Sequence, residues 1–273
     1  MYSEVPLTRT IGVICTQFAA AEKELQLRVR ESFPGVEEEQ ITLVLQECLH
    51  QALDHASRTG QIARAFASDL RASRANLKYM EPERLSSGLV AEASWHKRAT
   101  ETNTGGDFGL VVVRPRVAFG NDSLRITEGH HSGLLVQAKR KLMKGRWRGL
   151  TRTQLSLLPE RLSYSALVLY ELLDESSREL APIRWQLCEG HRITTVKRWL
   201  REGSFPQLVS SSDIIVGLGK GGIGTDDRKI IENFVAPVGE RTLVIRIHWH
   251  GRKPPSSEVR VMHQSRQQAV LPR

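Results

Sequence analysis

Apolar residues recur at helical spacing over the first third of the chain and gather into short unbroken runs over the rest. The segment TQFAAAEKELQLRVRESF has helical composition and stops at Pro34-Gly35, a strong breaker. In VEEEQITLVLQECLHQALDH, the residues Ile41, Leu45, Cys48, Leu49 and Ala52 share one face, which predicts a second helix from about Val36 to His55. Its acidic start suits the positive end of the helix dipole. After Gly60, QIARAFASDLRASRANL predicts a third amphipathic helix. The early run IGVICTQFAAA leads straight into EKELQLRVRE and reads as a strand or helix start, not as a secretion signal. MEPERLSSGLVAEAS is less regular and reads as a connection.

From Ser94 the pattern turns to strands. SWHKRAT is one candidate, and DFGLVVV and GLLVQAK are stronger ones. Between these two, RPRVAFGNDSLRITEGHH holds Pro, Gly and Asn-Asp, as a long hairpin connection does. TRTQLSLLPERLSYS then predicts a helix, ALVLYELL a buried strand and IRWQLC another, followed by a helix in DDRKIIENFV and a strand in RTLVIRIHWH. The tail GRKPPSSEVRVMHQSRQQAVLPR is polar with paired prolines. Helices first, then strands interleaved with helices, predict a mixed α/β domain.

Polar groups stand at the ends of two of these apolar runs. Asp107 opens the first strand, while Gln137 and Lys139 close the second. Two residues apart, Gln137 and Lys139 point to one face of a strand and Ala138 to the other. On adjacent strands a carboxylate, an amide oxygen and a backbone carbonyl can meet on one hard cation, and such oxygen ligands suit magnesium. The amine of Lys139 then stands beside them, placed to orient or deprotonate a water.

GGDFGLVVV followed by LLVQAKR resembles the D-(E/Q)-x-K core of the PD-(D/E)xK, or restriction-endonuclease-like, nuclease superfamily, and QAKR is similar to the Mrr-type enzymes. The resemblance covers about Glu101 to Lys141, well under half of the chain. It implies a restriction-endonuclease-like core, a mixed central sheet flanked by helices, over residues 81–250. Residues 1–80 then form an N-terminal helical segment contributing to that domain, and residues 251–273 a tail. Two departures matter. Gly106 stands where the family motif has proline, and Gln137 is a neutral ligand in place of an acid. A neutral amide weakens metal binding and leaves less negative charge around Lys139, which suits a base.

In the family a glutamate from a helix preceding the sheet completes the metal site. Glu38 lies three residues before Ile41 and seven before Leu45, on the apolar face of the predicted second helix, with Glu37 somewhat off centre as the reserve. Glu39 and Glu47 point away. The resemblance implies magnesium-dependent phosphodiester hydrolysis, with Asp107, Gln137 and Glu38 as metal ligands and Lys139 positioning the attacking water or taking its proton.

Charge supports a polyanionic partner. The formal net charge is +9, and KRKLMKGRWRGLTR directly follows the motif without an acid. Arg140, Lys141, Lys144, Arg146 and Arg148 are candidates for tracking a phosphate backbone, with Trp147 stacking or packing among them. DNA is the expected partner, with RNA as the alternative, and a bacterial restriction or antiphage setting rests on the family likeness alone. A separate sensor or helicase subunit and a homo-oligomer are both compatible with a chain that shows no sequence-reading module. Cys15, Cys48 and Cys188 are widely separated and form no C-x-x-C pair, which fits a reducing cytoplasm. No run approaches the length of a membrane span.

Two other features carry little. GLGKGGIGTDD follows DIIV and resembles a variant P-loop, but Thr225 stands where the phosphate-binding lysine belongs, so a glycine-rich turn suffices. His130, His131, His248 and His250 lack an evident third metal ligand and read as surface or packing residues. The alternative to an enzyme is a nuclease-like fold that grips nucleic acid without cutting it, an alternative that Gln137 keeps open.

Overall fold

A computed structural model describes residues 2–31, 37–73, 89–95, 106–119, 124–142, 146–174, 179–235 and 242–249. Three helices come first: α1 (Thr8–Glu31), α2 (Glu38–Arg58) and α3 (Gln61–Ser73). Each buries one stripe. On α1 it is Ile11, Ile14, Phe18, Ala21, Leu25 and Val29, at steps of three and four residues. On α2 Ile41, Leu45, Cys48 and Leu49 are buried as the periodicity predicts. The stripe then continues through Leu53 and Ala56, and Ala52 is only partly buried.

The strands are β1 (Tyr2–Glu4), β2 (Leu89–Trp95), β3 (Phe108–Phe119), β4 (Leu124–Arg140), β5 (Ser165–Tyr170), β6 (Leu172–Asp174), β7 (Glu179–Leu180), β8 (Arg184–Leu187), β9 (Leu208–Val209) and β10 (Thr242–Trp249). Eight of them form one mixed sheet in the order β2-β10-β3-β4-β5-β8-β9, with β1 beside the outer part of β3. The β10–β3 and β4–β5 pairs are parallel and the other pairs in this sheet antiparallel. The sheet is covered on both faces, so its central strands read as unbroken apolar runs. Leu110, Val112, Val136 and Ala138 share a core with α1, α2 and α3. Val111, Val113, Leu135, Leu167 and Leu169 face the other way. They pack on Leu158, Leu162 and Tyr164 of the turn after α4 (Arg152–Leu157) and on Val196, Trp199 and Leu200 of α5 (Ile193–Glu202). The chain is therefore α/β, a mixed sheet flanked by helices with a helical segment ahead of it.

Several expectations shift. The expected connection RPRVAFGNDSLRITEGHH is instead mostly strand, because β3 and β4 keep pairing out to Phe119 and Leu124. Pro115 is tolerated there because it sits at a bulge, in the break between the residues of β3 that pair with β10 and those that pair with β1. Residues 89–94, expected in a connection, lie in β2 and pair with β10. The helix expected in TRTQLSLLPERLSYS breaks into α4 and a 3-10 segment, Leu158–Tyr164, where Pro159 enters. Neither α5 nor β1 stood out in the sequence. The glycine-rich stretch is also different: DIIVGLGK forms α6 (Ser211–Lys220), and the turn begins only at Gly221, whose φ of 70° favours glycine. Gly219 allows α6 to approach α1, since a Cβ there would lie 2.5 Å from Ile11 Cδ1. The loop then docks on β4 through reciprocal backbone hydrogen bonds between Gly133 and Thr225, before α7 (Arg228–Ile230). A P-loop needs a strand ahead of the glycines, and here a helix stands in that place. His250 and residues 251–273 lie outside the described residues.

The first turn of α1 contains no acidic residue. Asp69 of α3 supplies the missing acceptor, taking hydrogen bonds from Arg9 N at 3.0 Å, Thr10 N at 2.9 Å and Thr10 Oγ1 at 2.8 Å. Asp69→Ala is expected to lower stability by about 2 kcal/mol, the upper end for loss of a helix cap, because it also strands buried donors. Urea unfolding measures this against Asp54→Ala, which removes an exposed pair with Arg58 and is expected to cost less than about 1 kcal/mol.

Candidate active site

The open end of β4 creates the site. β3 pairs with β4 only as far as Phe108 opposite Val136, with Asp107 N donating to Val136 O at 2.8 Å. β4 runs on to Arg140 beside β5, and among the described residues no strand pairs with Ala138 and Arg140 on the β3 side. Buried backbone donors need acceptors. Asp107 Oδ2 accepts from Ala138 N at 2.6 Å, and Glu38 Oε2 accepts from Arg140 N at 2.7 Å. Two carboxylates thus take the place of a missing strand, on amides roughly 7 Å apart along β4.

The side chains of Gln137 and Lys139 complete the group. Gln137 Nε2 donates to Asp107 Oδ2 and, at 3.3 Å, to Ala138 O. Lys139 Nζ lies 3.4 Å from Glu38 Oε1, a contact between residues 101 positions apart. The four residues proposed from the sequence therefore converge, although Asp107, Gln137 and Lys139 are buried and the Glu38 side chain is only 12% exposed. Gly106 has a local reason. A Cβ there would lie 2.4 Å from Leu135 Cδ1 and 2.7 Å from its Cγ, so the approach to Asp107 runs tight against β4.

Glu37, the reserve ligand, faces outward. It pairs with Arg148 at 3.3 Å and Arg140 at 4.0 Å, and its side chain is 65% exposed. Helix geometry separates the two neighbours as the apolar stripe of α2 predicted. Glu47 is exposed and pairs with Arg28, outside the site.

Two residues went unread in the sequence. Thr42, one turn after Glu38, donates through Oγ1 to Glu38 O at 2.8 Å and lies 3.4 Å from Tyr170 Oη. Tyr170 ends β5, level with Arg140, and is fully buried. Burial pushes its phenol well above the ordinary value. The carboxylates of Asp107, Glu38 and Glu22 push the same way, and the Thr42 hydrogen bond opposes them only in part. Tyr170 is thus a neutral hydroxyl under the site. Its only sequence signal was a phenol in an otherwise aliphatic strand.

Oxygens of the kind a hard divalent cation takes stand here: the two carboxylates, the Ala138 carbonyl and Gln137 Oε1, which is buried without a hydrogen-bond partner. It is Nε2 of that amide that faces Asp107 and the Ala138 carbonyl, so joining them on one ion requires the amide to turn over. An orphaned buried amide oxygen is costly, and a cation is one way to satisfy it. Among the described residues no group of three or more His, Cys, Asp or Glu side chains is placed to hold a metal, so any ion here depends on the neutral oxygens.

The basic strip is less open than its sequence implies. Lys141 pairs with Glu171, and both Arg140 and Arg148 reach Glu37. Arg146 is exposed, and Lys144 lies outside the described residues. Trp147 packs edge-on against Phe205 with centroids 5.5 Å apart, so packing is its role. No protein-family model matches the chain, and neither a curated protein nor a solved structure matches it.

Gln137→Glu tests the cation reading of this geometry. It sets two carboxylates against each other in a buried site, at an expected cost of about 2 kcal/mol without divalent metal. Thermal unfolding with and without millimolar magnesium is the measurement. The variant is expected to melt about 5 °C lower without metal and to gain more from magnesium than the wild type does. Equal gains in both proteins count against a cation at this position.

Proposed function

We propose that the chain is a magnesium-dependent nuclease that hydrolyses phosphodiester bonds, acting on DNA, with its sheet serving as a restriction-endonuclease-like core. One observation carries the reading: Asp107, Gln137, Lys139 and Glu38 meet at the open end of β4. Asp107, Glu38 and Gln137 Oε1 would hold the magnesium, which when bound polarises the phosphate and stabilises developing charge. The protein's own groups do the rest. Asp107 and Glu38 are fixed by backbone amides of β4, so their carboxylates are oriented before substrate arrives. Lys139 Nζ, held toward Glu38, positions the attacking water or takes its proton. Thr42 and Tyr170 tie α2, which carries Glu38, to β5, the strand beside β4. The DNA backbone would run past Arg146 and Arg148. A bacterial restriction or antiphage setting in the cytoplasm belongs to the same proposal, as does a partner subunit that selects the target.

A specific observation also favours the second reading, a binding module that does not cut. Gln137 and Lys139 are only 1% and 2% exposed, and a scissile phosphate must reach them. Plasmid incubated with the purified chain and magnesium separates the two. Cleavage is expected, and Asp107→Ala and Lys139→Ala are each expected to lower its rate by about a thousandfold or more, on the scale of losing a principal catalytic group. Cleavage that survives both substitutions removes this site assignment. DNA binding without cleavage in any divalent metal makes the binding module correct.

A further inference from the structure

A second concavity lies on the helical face of the sheet, where the start of α1, the outer half of β3 and the end of α6 meet. Its volume is about 450 Å³, in the range of small-ligand sites. Arg114 is seven residues along β3 from Asp107, so the cavity lies roughly 20 Å or more from the candidate active site. Leu7, Ile11 and Val216 give it an apolar wall, while Arg114, Arg116 and Lys220 bring three cations to it. No Asp or Glu is among its described lining residues.

The cations are built into the fold in different ways. Arg114 stands at the bulge between β3 and β4, and bulges re-aim side chains. Gly129 opposite makes room for it, since a Cβ there would lie 2.5 Å from Arg114 O. The guanidinium of Arg114 lies over Gly221, where a Cβ would be 2.9 Å from Nη2. Its Nε is buried without an acceptor, and neither Arg114 nor Lys220 has an ion-pair partner among the described residues. Arg116 Nη2 is 2.9 Å from His130 Nε2. A guanidinium only donates, so the imidazole accepts there and orients Arg116 without adding charge. The first amides of α1 are taken by Asp69, so an anion in this cavity is held by side chains and not by the helix end.

We propose that this cavity is a second ligand site that takes a small organic phosphate of mononucleotide size. Its phosphate sits among Arg114, Arg116 and Lys220, and its ring portion lies against Leu7, Ile11 and Val216. A dianionic phosphate matches three cations that no described acidic side chain opposes, whereas a single carboxylate leaves most of that charge unmet. The concave, apolar-walled shape suits a free small molecule better than the convex backbone of a duplex. The site does not depend on the nuclease reading.

Titration calorimetry of the full chain with AMP, in EDTA, tests the proposal. Saturable binding with one AMP per chain is expected, and adenosine, which lacks the phosphate, is expected to bind at least tenfold more weakly. Arg114→Gln and Lys220→Gln should each weaken AMP binding tenfold or more, and Asp107→Asn should change it less than twofold. Gly12 offers a steric arm. A Cβ there meets nothing within 4 Å, so Gly12→Phe fills the mouth of the cavity and should abolish binding. Replacing a mid-helix glycine favours the helix, so this variant and the exposed Lys220→Gln decide the matter even where Arg114→Gln melts early. A 5′-phosphorylated duplex serves as the competing phosphate source. The proposal is overturned by no saturable AMP binding, by binding that is indifferent to Lys220→Gln and Gly12→Phe, or by binding confined to the duplex.

Discussion

Where β3 stops and β4 continues, two backbone amides of a buried strand lose their partners, and the polypeptide must supply acceptors from elsewhere. It uses Asp107 from the start of β3 and Glu38 from the start of α2. That requirement ties the helical layer to the sheet at a defined point and draws both carboxylates to one side of β4. Lys139 and Gln137 then gain charged or polar partners they would otherwise lack in a buried position. A structural need and a reactive arrangement are met by the same atoms, so changes to either carboxylate act on folding and chemistry together.

The charge of the molecule is distributed less simply than its total implies. The basic run after the motif is partly balanced by Glu37 and Glu171, which face outward and hold Arg140, Arg148 and Lys141. Two cations without such partners among the described residues, Arg114 and Lys220, stand on the helical side in a cavity where no described lining residue is acidic. A linear count of lysines and arginines does not distinguish these environments. Only the fold brings Glu171 next to Lys141, and leaves Arg114 beside a glycine in place of an acid.

The helical third of the chain was legible because its stripes repeat at 3.6 residues, and the central strands because both their faces are buried. The boundaries were not. Pro115, Gly120 and the Asn-Asp pair suggested a long connection, yet neighbours on both sides of β3 extended the strand through its one proline. Gly217 and Gly219 suggested a turn, whereas close packing against Ile223 and Ile11 explains glycine inside a helix. In the site, Asp107, Gln137 and Lys139 were readable from order and spacing, and Glu38 from the helical face it shares with Ile41. Thr42 and Tyr170 were not, since they matter only through contacts 128 residues apart.

The pairing of Lys139 with Glu38 spans more than a third of the chain, and its two ends belong to different layers. During synthesis the α2 carboxylate leaves the ribosome long before the lysine exists. Until β4 has been made and the helices have closed over it, no local segment holds more than a fragment of the constellation. Whatever this centre does, it is switched on by completion of the tertiary structure and is absent from every shorter intermediate.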